Sequence, residues 1–182
     1  MQKTLIVVDM QNDFISGALG TKEAVDIVPN VKRKIEAYRL SGDEIIFTRD
    51  THHENYLETS EGQNLPIEHC IMGTDGWEIP KEFDIPECEH IDKPNFGWLP
   101  WSFRLTDDGL FKPRNFEECV AEIEIVGLCT DICVVANALI LKTTYPELKI
   151  TVDASCCAGT TPEKHKAALA TMKSCQINII GE

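Results

Sequence analysis

The stretch that decides the fold is residues 123–141, which read IEIVGLCTDICVVANALIL. Residues 123–127 are almost continuously apolar, which is typical of a parallel strand covered on both faces. Residues 134–141 are apolar on nearly every side, which predicts a buried helix. The stretch therefore indicates a buried strand followed by a buried helix, with a short polar loop between them.

Similar strand patterns occur on both sides of this stretch. Further strands are predicted at residues 5–8, 44–48, 89–91, 148–152 and 177–180. Helix-like segments alternate with these strands from one end of the chain to the other. This alternation predicts an α/β protein, a three-layer αβα sandwich with a mostly parallel six-stranded sheet.

Local signals place three of the helices. The first has apolar residues at helical spacing over 28–38, with Pro29 near its start and Gly42 just past its end. A short helix is predicted over 115–121, because an Asn followed three residues later by a Glu resembles a capping box. The last helix opens at Thr161, which is followed by a proline.

The bulk properties exclude several classes of partner. The chain has 182 residues and a formal net charge of −13. One domain, residues 1–182, is expected at this length. The negative charge argues against a nucleic acid or an anionic membrane as partner. No apolar run approaches the roughly 20 residues that span a bilayer, and no signal peptide precedes the first strand, so a cytoplasmic location is expected.

The eight cysteines could indicate a disulfide framework. However, a chain of this size can build a core without disulfides, and the expected compartment is reducing. The cysteines also lack the paired CxxC spacing of a structural zinc site. Most of them are therefore expected to pack as small hydrophobic side chains, namely Cys88, Cys119, Cys156, Cys157 and Cys175.

Reactive side chains follow four of the predicted strands. The first strand ends at Asp9 and the second at Asp50. The third strand runs into Lys93, and the fourth leads to Cys133. Ligands bind beyond the carboxyl ends of the strands in an open parallel sheet. Two carboxylates, an ammonium group and a thiol are therefore predicted to meet at one edge.

Cys133 is a candidate nucleophile. It lies where the loop enters the buried helix, and the unpaired N–H groups, the helix dipole and a nearby Lys93 would favour its thiolate. Asp9 could take the thiol proton and later pass it to a leaving amine. Cys129 is a rival nucleophile, since spacing alone does not separate the two cysteines.

The segment 51–87 does not follow the alternation of strands and helices, and a loop of this length in a compact domain is usually functional. Asp50 precedes it, and His52 projects from the same face of an extended segment, whereas His53 points the other way. His69 can return through the loop to complete a set of one carboxylate and two imidazoles. Such a set suits Zn²⁺, Fe²⁺ or Mn²⁺.

Five blocks of the sequence match one known family in its own order. Residues 9–14 (DMQNDF) resemble the D-x-Q-N-D-F opening of nicotinamidases. Residues 50–52 (DTH) and 69–74 (HCIMGT) resemble their metal segment, Lys93 matches their catalytic lysine, and residues 127–133 (GLCTDIC) match their nucleophile motif. The chain thus resembles the isochorismatase-like cysteine hydrolase superfamily, and within it the nicotinamidase/pyrazinamidase group.

The resemblance implies a fold and a reaction. The fold would be Rossmann-like with strand order 3-2-1-4-5-6, in a chain that forms homo-oligomers. Asp9 would act as general base and then acid, Lys93 would stabilise charge, and Cys133 would attack a carboxamide carbon. The oxyanion would be held by the backbone N–H groups of Cys129 and Cys133. The family also has a cis peptide in this loop, here between Leu128 and Cys129.

The resemblance also implies a metal and a substrate. A divalent metal, with zinc expected and iron or manganese as alternatives, would be bound by Asp50, His52 and His69. The metal would receive the pyridine nitrogen of nicotinamide and would not generate the nucleophile. Many nicotinamidases have Trp-Pro-Pro before the last metal histidine, where this chain has residues 66–68 (PIE).

The missing tryptophan leaves the aromatic wall of the pocket to other residues. The candidates are Phe14, Phe96 and Trp98. The same departure from the family adds a carboxylate, Glu68, which is expected near the metal. The segment that follows Lys93 also differs from the usual nicotinamidase sequence.

Three alternatives to nicotinamide hydrolysis stay open. The same catalytic residues could hydrolyse another small amide, such as a carbamoyl or ureido compound, although such relatives generally lack the Asp-x-His…His set. An isochorismatase would cleave a vinyl ether without a thiol nucleophile, and Cys133 argues against it. A non-catalytic metal- or ligand-binding protein would not need Asp9, Lys93 and Cys133 together. Nicotinamide is therefore the leading candidate substrate.

Overall fold

The main sheet has six strands, all parallel to their neighbours. The computed structural model describes residues 2–105 and 111–182. Within these residues the sheet order is β3-β2-β1-β6-β7-β8, and a separate antiparallel pair is formed by β4 and β5. The strands are β1 Gln2–Val8, β2 Glu44–Asp50, β3 Glu89–Lys93, β4 Phe103–Leu105, β5 Phe111–Pro113, β6 Val120–Leu128, β7 Ile150–Ala158 and β8 Asn178–Ile180.

The observed sheet confirms the predicted fold. Counted within this sheet alone, the strand order is 3-2-1-4-5-6, and each predicted strand overlaps an observed one. Strands β1 and β6 lie at its centre, where residues 5–8 have no solvent exposure. Alternate residues of β1 enter two different cores, Ile6 and Val8 on one face and Leu5 and Val7 on the other. Burial on both faces explains why the strand sequence is apolar without alternation.

Helices cover both faces of the sheet. They are α1 Asn12–Ile15, α2 Lys22–Ser41, α3 Ser60–Asn64, α4 Phe116–Cys119, α5 Val135–Thr144 and α6 Pro162–Ser174. Val31 of α2 lies in the same core as Leu5, whereas Ala138 of α5 and Leu169 of α6 lie in the core that contains Ile6. This arrangement gives the three layers. Among the described residues, no helix combines the length and the apolar character needed to cross a membrane.

Helix α2 begins earlier than its apolar spacing predicts. Pro29 was expected near the start, but the helix begins at Lys22 and Pro29 lies inside it. The Thr21 hydroxyl accepts a hydrogen bond from the backbone N–H of Ala24 (3.0 Å), and this N-cap determines where the helix starts. The predicted end is confirmed, since Gly42 caps the helix with a φ of 73°.

Several local predictions are wrong. The short helix expected to reach Ala121 ends at Cys119, because the chain from Val120 onward continues into β6 and pairs with β1. Its Asn115 cap makes no side-chain hydrogen bond. All eight cysteines are free, as expected. However, Cys119 at the end of α4 and Cys175 just after α6 are exposed, so these two side chains do not pack in the core. The pair β4–β5 was not predicted, because strands of three residues carry little periodicity.

Candidate active site

The carboxyl ends of the strands bring four predicted residues into contact. Asp9 follows β1, while Asp50 and Lys93 end β2 and β3. The Nζ atom of Lys93 lies 2.7 Å from Oδ2 of Asp9 and 3.3 Å from Oδ1 of Asp50. The same atom lies 3.5 Å from Sγ of Cys133. The Lys93 ammonium group therefore links the two carboxylates to the thiol.

The Lys93 side chain is fully buried, so its charge depends on its neighbours. Burial by itself would lower the pKa of the amine. The negative charges around it, with Asp9 first, outweigh burial, and the pKa of Lys93 is raised. Nζ also donates a hydrogen bond to the carbonyl oxygen of Asn95 (3.1 Å). The amine is therefore held as a cation at a defined position.

The Asp9 carboxylate is buried and oriented. The Thr48 hydroxyl donates to Oδ1 of Asp9 (2.7 Å), and the backbone N–H of Asp9 donates to the carbonyl of Thr48 (3.1 Å). Burial raises the pKa of Asp9, against the opposing charge of Lys93. A carboxylate with a raised pKa accepts a proton more readily than an ordinary one.

Cys133 lies in a π-helical turn, Thr130–Val134, that leads into α5. The pKa of its thiol is raised by burial and by the charge of Asp9, although Lys93 acts in the opposite direction. Lys93 therefore acts in the expected direction and favours the thiolate, but burial and Asp9 outweigh it and the overall pKa is raised. The reason is that the thiol is enclosed in the core beside a carboxylate. Reaction at Cys133 requires a nearby base.

The rival thiol, that of Cys129, packs against the opposite core. Cys133 belongs to the core that contains Ile6, whereas Cys129 contacts the core that contains Leu5. Burial and the charge of Asp131 raise the pKa of Cys129 to about 12. The peptide bond between Leu128 and Cys129 is cis, as the resemblance implied. The thiol that lies against Lys93 is that of Cys133.

The predicted metal ligands Asp50, His52 and His69 converge, and Glu61 joins them. One ligand atom of each residue lies within 4.8 Å of those of the other three. Nε2 of His52 lies 3.0 Å from Oδ2 of Asp50 and 3.7 Å from Oε1 of Glu61. Nε2 of His69 lies 3.7 Å from the same Asp50 oxygen. Two imidazoles and two carboxylates therefore face one point.

This donor set fits a divalent cation. Nε2 of His52 is buried and makes no directed hydrogen bond, although it is close to Asp50. Nδ1 of His69 lies 2.8 Å from the carbonyl oxygen of Ile67, which orients the ring and leaves Nε2 for a metal. Burial opposes ionisation of Asp50, but its contacts with His52, His69 and Lys93 outweigh burial and lower its pKa. The carboxylate is thus available as an anionic ligand.

Gln11, from the first motif, holds Asp50 in place. It is fully buried, and its Nε2 donates to the carbonyl oxygen of Asp50 (2.9 Å) and to that of Trp77 (2.8 Å). Its Oε1 accepts from the backbone N–H of Asp50 (2.7 Å). This side chain therefore fixes the backbone that presents the carboxylate to both Lys93 and the metal ligands.

Sequence reasoning missed Glu61 and placed a different carboxylate near the metal. Glu68, which was expected near the metal, is exposed and is not among the residues that form the cluster. Glu61 lies in the short helix α3, where the Thr59 hydroxyl accepts from the backbone N–H of Gly62 (3.0 Å). The run Thr59-Ser60-Glu61 is a helix-start signal, which could have located this carboxylate.

The aromatic candidates fall into two groups. The ring of Phe14 is buried and meets the ring of His69 edge to face, with centroids 5.5 Å apart. Tyr56, which was not predicted, is fully buried and its ring lies 5.0 Å from that of His69. Phe96 and Trp98 lie in the segment after β3, where Phe96 is 47% exposed and Trp98 packs partly against the core. Phe14 and Tyr56 therefore flank the metal ligands.

The fold and this edge of the sheet together define the class of protein. A family model for the isochorismatase domain matches residues 3–181. The chain belongs to the isochorismatase family. The zinc complex of the pyrazinamidase of Pyrococcus horikoshii is similar over the whole of both chains, with 30% identity and a TM-score of 0.77.

Curated relatives point to the same class. The nicotinamidase of Schizosaccharomyces pombe is 25% identical over 207 residues, which cover 98% of this chain and 92% of that protein. A protein of Arabidopsis thaliana that carries the name probable inactive nicotinamidase is 32% identical over 182 residues, which cover 93% of this chain and 87% of its own length. The family and the nicotinamidase of Schizosaccharomyces pombe support an amidohydrolase of the isochorismatase superfamily, whereas the Arabidopsis protein supports the family alone.

Proposed function

We propose that this protein is a cysteine amidohydrolase that converts nicotinamide to nicotinate and ammonia. The observation that carries the proposal is the buried Lys93 ammonium group, which contacts both the Asp9 carboxylate and the Cys133 thiol. The Asp50, His52, Glu61 and His69 cluster supports it, because three of its members, Asp50, His52 and His69, match the metal segment of nicotinamidases. The reaction places the protein in the salvage of pyridine nucleotides.

In the first half of the reaction Asp9 removes the thiol proton and Cys133 attacks the carboxamide carbon. The C–S bond forms as the carbonyl π bond opens to an oxyanion. The backbone N–H groups of Cys129 and Cys133 would hold this oxyanion, and Lys93 would stabilise the growing negative charge. Asp9 then returns the proton to the amine, the C–N bond breaks, and ammonia leaves a thioester.

In the second half water attacks the thioester. Asp9 takes one proton from the water, the C–S bond breaks as the carbonyl re-forms, and the product leaves as a carboxylate after its other water-derived proton passes to solvent. The proton on Asp9 returns to Cys133, so that the starting thiol is restored. The raised pKa of Asp9 suits both of its roles, because one group must accept and then donate the same proton.

Asp50, His52, His69 and Glu61 would hold a divalent cation, with zinc first and iron or manganese as alternatives. When bound, the cation would supply a Lewis-acidic position for the pyridine nitrogen. Phe14, Phe96 and Trp98 are the proposed aromatic wall around the ring. We also propose that residues 1–182 form one domain and that the protein acts in the cytoplasm as a homo-oligomer. Light scattering of the purified protein would measure its mass in solution and so test the oligomeric state.

Ammonia release from nicotinamide tests the substrate. The purified protein, supplied with Zn²⁺, Fe²⁺ or Mn²⁺, would be compared on nicotinamide and on a panel of carbamoyl and ureido amides. Fast release from nicotinamide alone supports the proposal. Release only from another amide would be consistent with the Cys133 mechanism but would show that nicotinamide is not the substrate. The sequence Pro66-Ile67-Glu68, which stands where many nicotinamidases have Trp-Pro-Pro, favours this alternative. No release from any amide would favour a binding protein.

Substitution of the two rival cysteines tests the nucleophile. Cys133→Ala should lower turnover by about 10³-fold or more, because the attacking atom is lost. Cys129→Ala should retain much of the activity, since only its backbone N–H is assigned a role. Steady-state turnover of both variants is measured at the same metal loading. The opposite pattern would move the nucleophile to Cys129.

Removal of the metal tests whether the metal cluster serves substrate binding while Asp9, Lys93 and Cys133 carry out the chemical steps. Treatment with a chelator should raise the KM for nicotinamide while the single-turnover acylation rate at saturating substrate changes little, because the metal is assigned to binding. Restoration with the same metal is the control. A comparable loss of the acylation rate at saturating substrate would assign the metal a part in the chemistry.

A further inference from the structure

A buried amide side chain connects the nucleophile turn to the segment that follows β3. Asn137 in α5 has no solvent exposure. Its Nδ2 donates to the carbonyl oxygens of Cys133 (2.8 Å) and Phe96 (3.2 Å). Its Oδ1 accepts from the backbone N–H of Trp98 and from the indole N–H of Trp101, both at 2.9 Å. All four hydrogen-bonding positions of the amide are therefore used.

Few side chains could make this set of bonds. A carboxamide has two donor hydrogens and two acceptor lone pairs, whereas a hydroxyl has one donor and an ionised carboxylate has none. Three of the four bonds of Asn137 go to residues 96–101, which lie next to Lys93 in sequence. Moving that segment away from α5 would leave the buried Asn137 amide and the buried Trp101 indole N–H without these bonds, so the amide favours the observed arrangement.

The same segment is attached to the proposed catalytic group at a second point. Nζ of Lys93, which contacts the Cys133 thiol, also donates to the carbonyl of Asn95 (3.1 Å). Gly97 lies directly against α5, since a Cβ atom there would be 2.5 Å from the end of the Ile140 side chain. The segment is thus held against α5 at Phe96 and Trp98 by Asn137 and at Gly97 by close packing, and it is bonded to Lys93 at Asn95.

We propose that Asn137 is a positioning residue that sets where Phe96 and Trp98 stand relative to the Cys133 thiol. The inference rests on the proposed function, in which these two aromatic residues form part of the wall for the substrate ring. Asn137 bonds to the backbone of both and is itself buried within the protein. Its loss should therefore impair binding of the aromatic amide more than the reactivity of the thiol.

The variant Asn137→Ser separates the hydrogen bond to Cys133 from the three hydrogen bonds to residues 96–101. A serine hydroxyl in a helix can donate to the carbonyl four residues earlier, so the bond to Cys133 is kept and the three bonds to 96–101 are lost. We expect the KM for nicotinamide to rise about tenfold, which is the size of an ordinary pocket contact. The rate of Cys133 alkylation by iodoacetamide should change by less than about twofold. Trp101→Phe, which removes one bond, should raise the KM less and in the same direction.

Leu141→Ala is the matched control. Leu141 is fully buried in the same helix, so this variant loses stability through a cavity while the Asn137 amide keeps its bonds. Its KM should stay at the wild-type value. In a ¹H–¹⁵N spectrum the indole N–H resonance of Trp101 should move in Asn137→Ser and not in Leu141→Ala.

Two results would overturn the inference. One is a wild-type KM in Asn137→Ser, and the other is an equal rise of the KM in Leu141→Ala. If the wild-type protein hydrolyses another amide and not nicotinamide, the proposed function fails, and the same comparison is made on that amide. A protein that hydrolyses no amide overturns both.

Discussion

At the scale of single residues, Lys93 is the group on which the proposed site depends. It is the cation between the buried carboxylates of Asp9 and Asp50, and it also contacts the Cys133 thiol. Removing one partner of a buried ionic group leaves the others desolvated and unpaired. Lys93 should therefore matter for stability as well as for turnover.

Lys93→Met keeps the length of the side chain and removes its charge. We expect loss of turnover and a decrease of about 3–5 kcal/mol in the free energy of unfolding, because two carboxylates stay buried without a cation. Urea unfolding followed by circular dichroism measures the second effect. Lys3→Met is the control, since the Lys3 side chain is half exposed and lies 3.8 Å from Glu122.

A second variant separates charge from packing. Lys93→Met combined with Asp9→Asn removes one of the unpaired carboxylates, so part of the lost stability should return while activity stays absent. If the single and double variants unfold at the same urea concentration, the carboxylate of Asp9 does not depend on Lys93 for its burial.

At the scale of elements, the short helix α3 completes the metal cluster. Its five residues follow directly on the turn Tyr56–Glu58, and its Thr59 cap sets where it starts. Glu61 thereby reaches within 3.7 Å of His52, although the two residues belong to different local structures. A carboxylate at this position adds a negative charge to a set that already holds Asp50.

Glu61→Gln should weaken metal binding by about tenfold or more, since the amide keeps the shape but loses the anionic oxygen. The measurement is calorimetric titration of the metal-free protein with Zn²⁺. Glu58→Gln is the matched control, because Glu58 is exposed and its substitution changes the net charge by the same amount. Equal affinity in the two variants would remove Glu61 from the ligand set.

At the scale of the whole molecule, an ionic group joins the α2 layer to the sheet. Nζ of Lys34 lies 2.5 Å from Oε1 of Glu124 in β6 and 2.8 Å from Oδ2 of Asp153 in β7. The Tyr38 hydroxyl donates to the other oxygen of Glu124 (2.6 Å). Burial opposes ionisation of Asp153, but Lys34 and the hydrogen bonds from Ser155 outweigh it, and the pKa of Asp153 is lowered from 3.8.

The sign of this shift gives a pH dependence. A lowered pKa in the folded state means that Asp153 contributes stability above pH 3.8 and that the contribution is lost as the pH falls further. Lys34→Met should therefore reduce the free energy of unfolding at neutral pH, and the difference from wild type should shrink at about pH 3. Urea unfolding at the two pH values measures it.

Lys32→Met in the same helix is the control for this prediction. The Lys32 side chain is half exposed in its pair with Glu82, so its substitution should have little effect at either pH. A difference between Lys34→Met and wild type that stays constant from neutral pH to about pH 3 would mean that Lys34 acts through packing and not through Asp153.

Much of the site could be predicted because reactive residues stand at strand ends. Asp9, Asp50 and Lys93 were expected at one edge of the sheet with Cys133, and the structure brings them into contact. The direction of the thiol pKa could not be predicted, because it depends on burial and on how close Asp9 lies. Glu61 was missed for a related reason, since its approach to His52 is created by the fold of the loop.

The sequence by itself determined the alternation of strands and helices through its apolar periodicity, and its motif residues carried the family resemblance that implied the strand order. Both are local properties of the chain that folding does not alter. The tertiary structure alone decided the fourth candidate metal ligand, the raised pKa of Cys133 and the four bonds of Asn137. These features depend on distances between side chains that are far apart in sequence. Such distances, together with the loss of solvent around the groups, are what set electrostatic and hydrogen-bond energies.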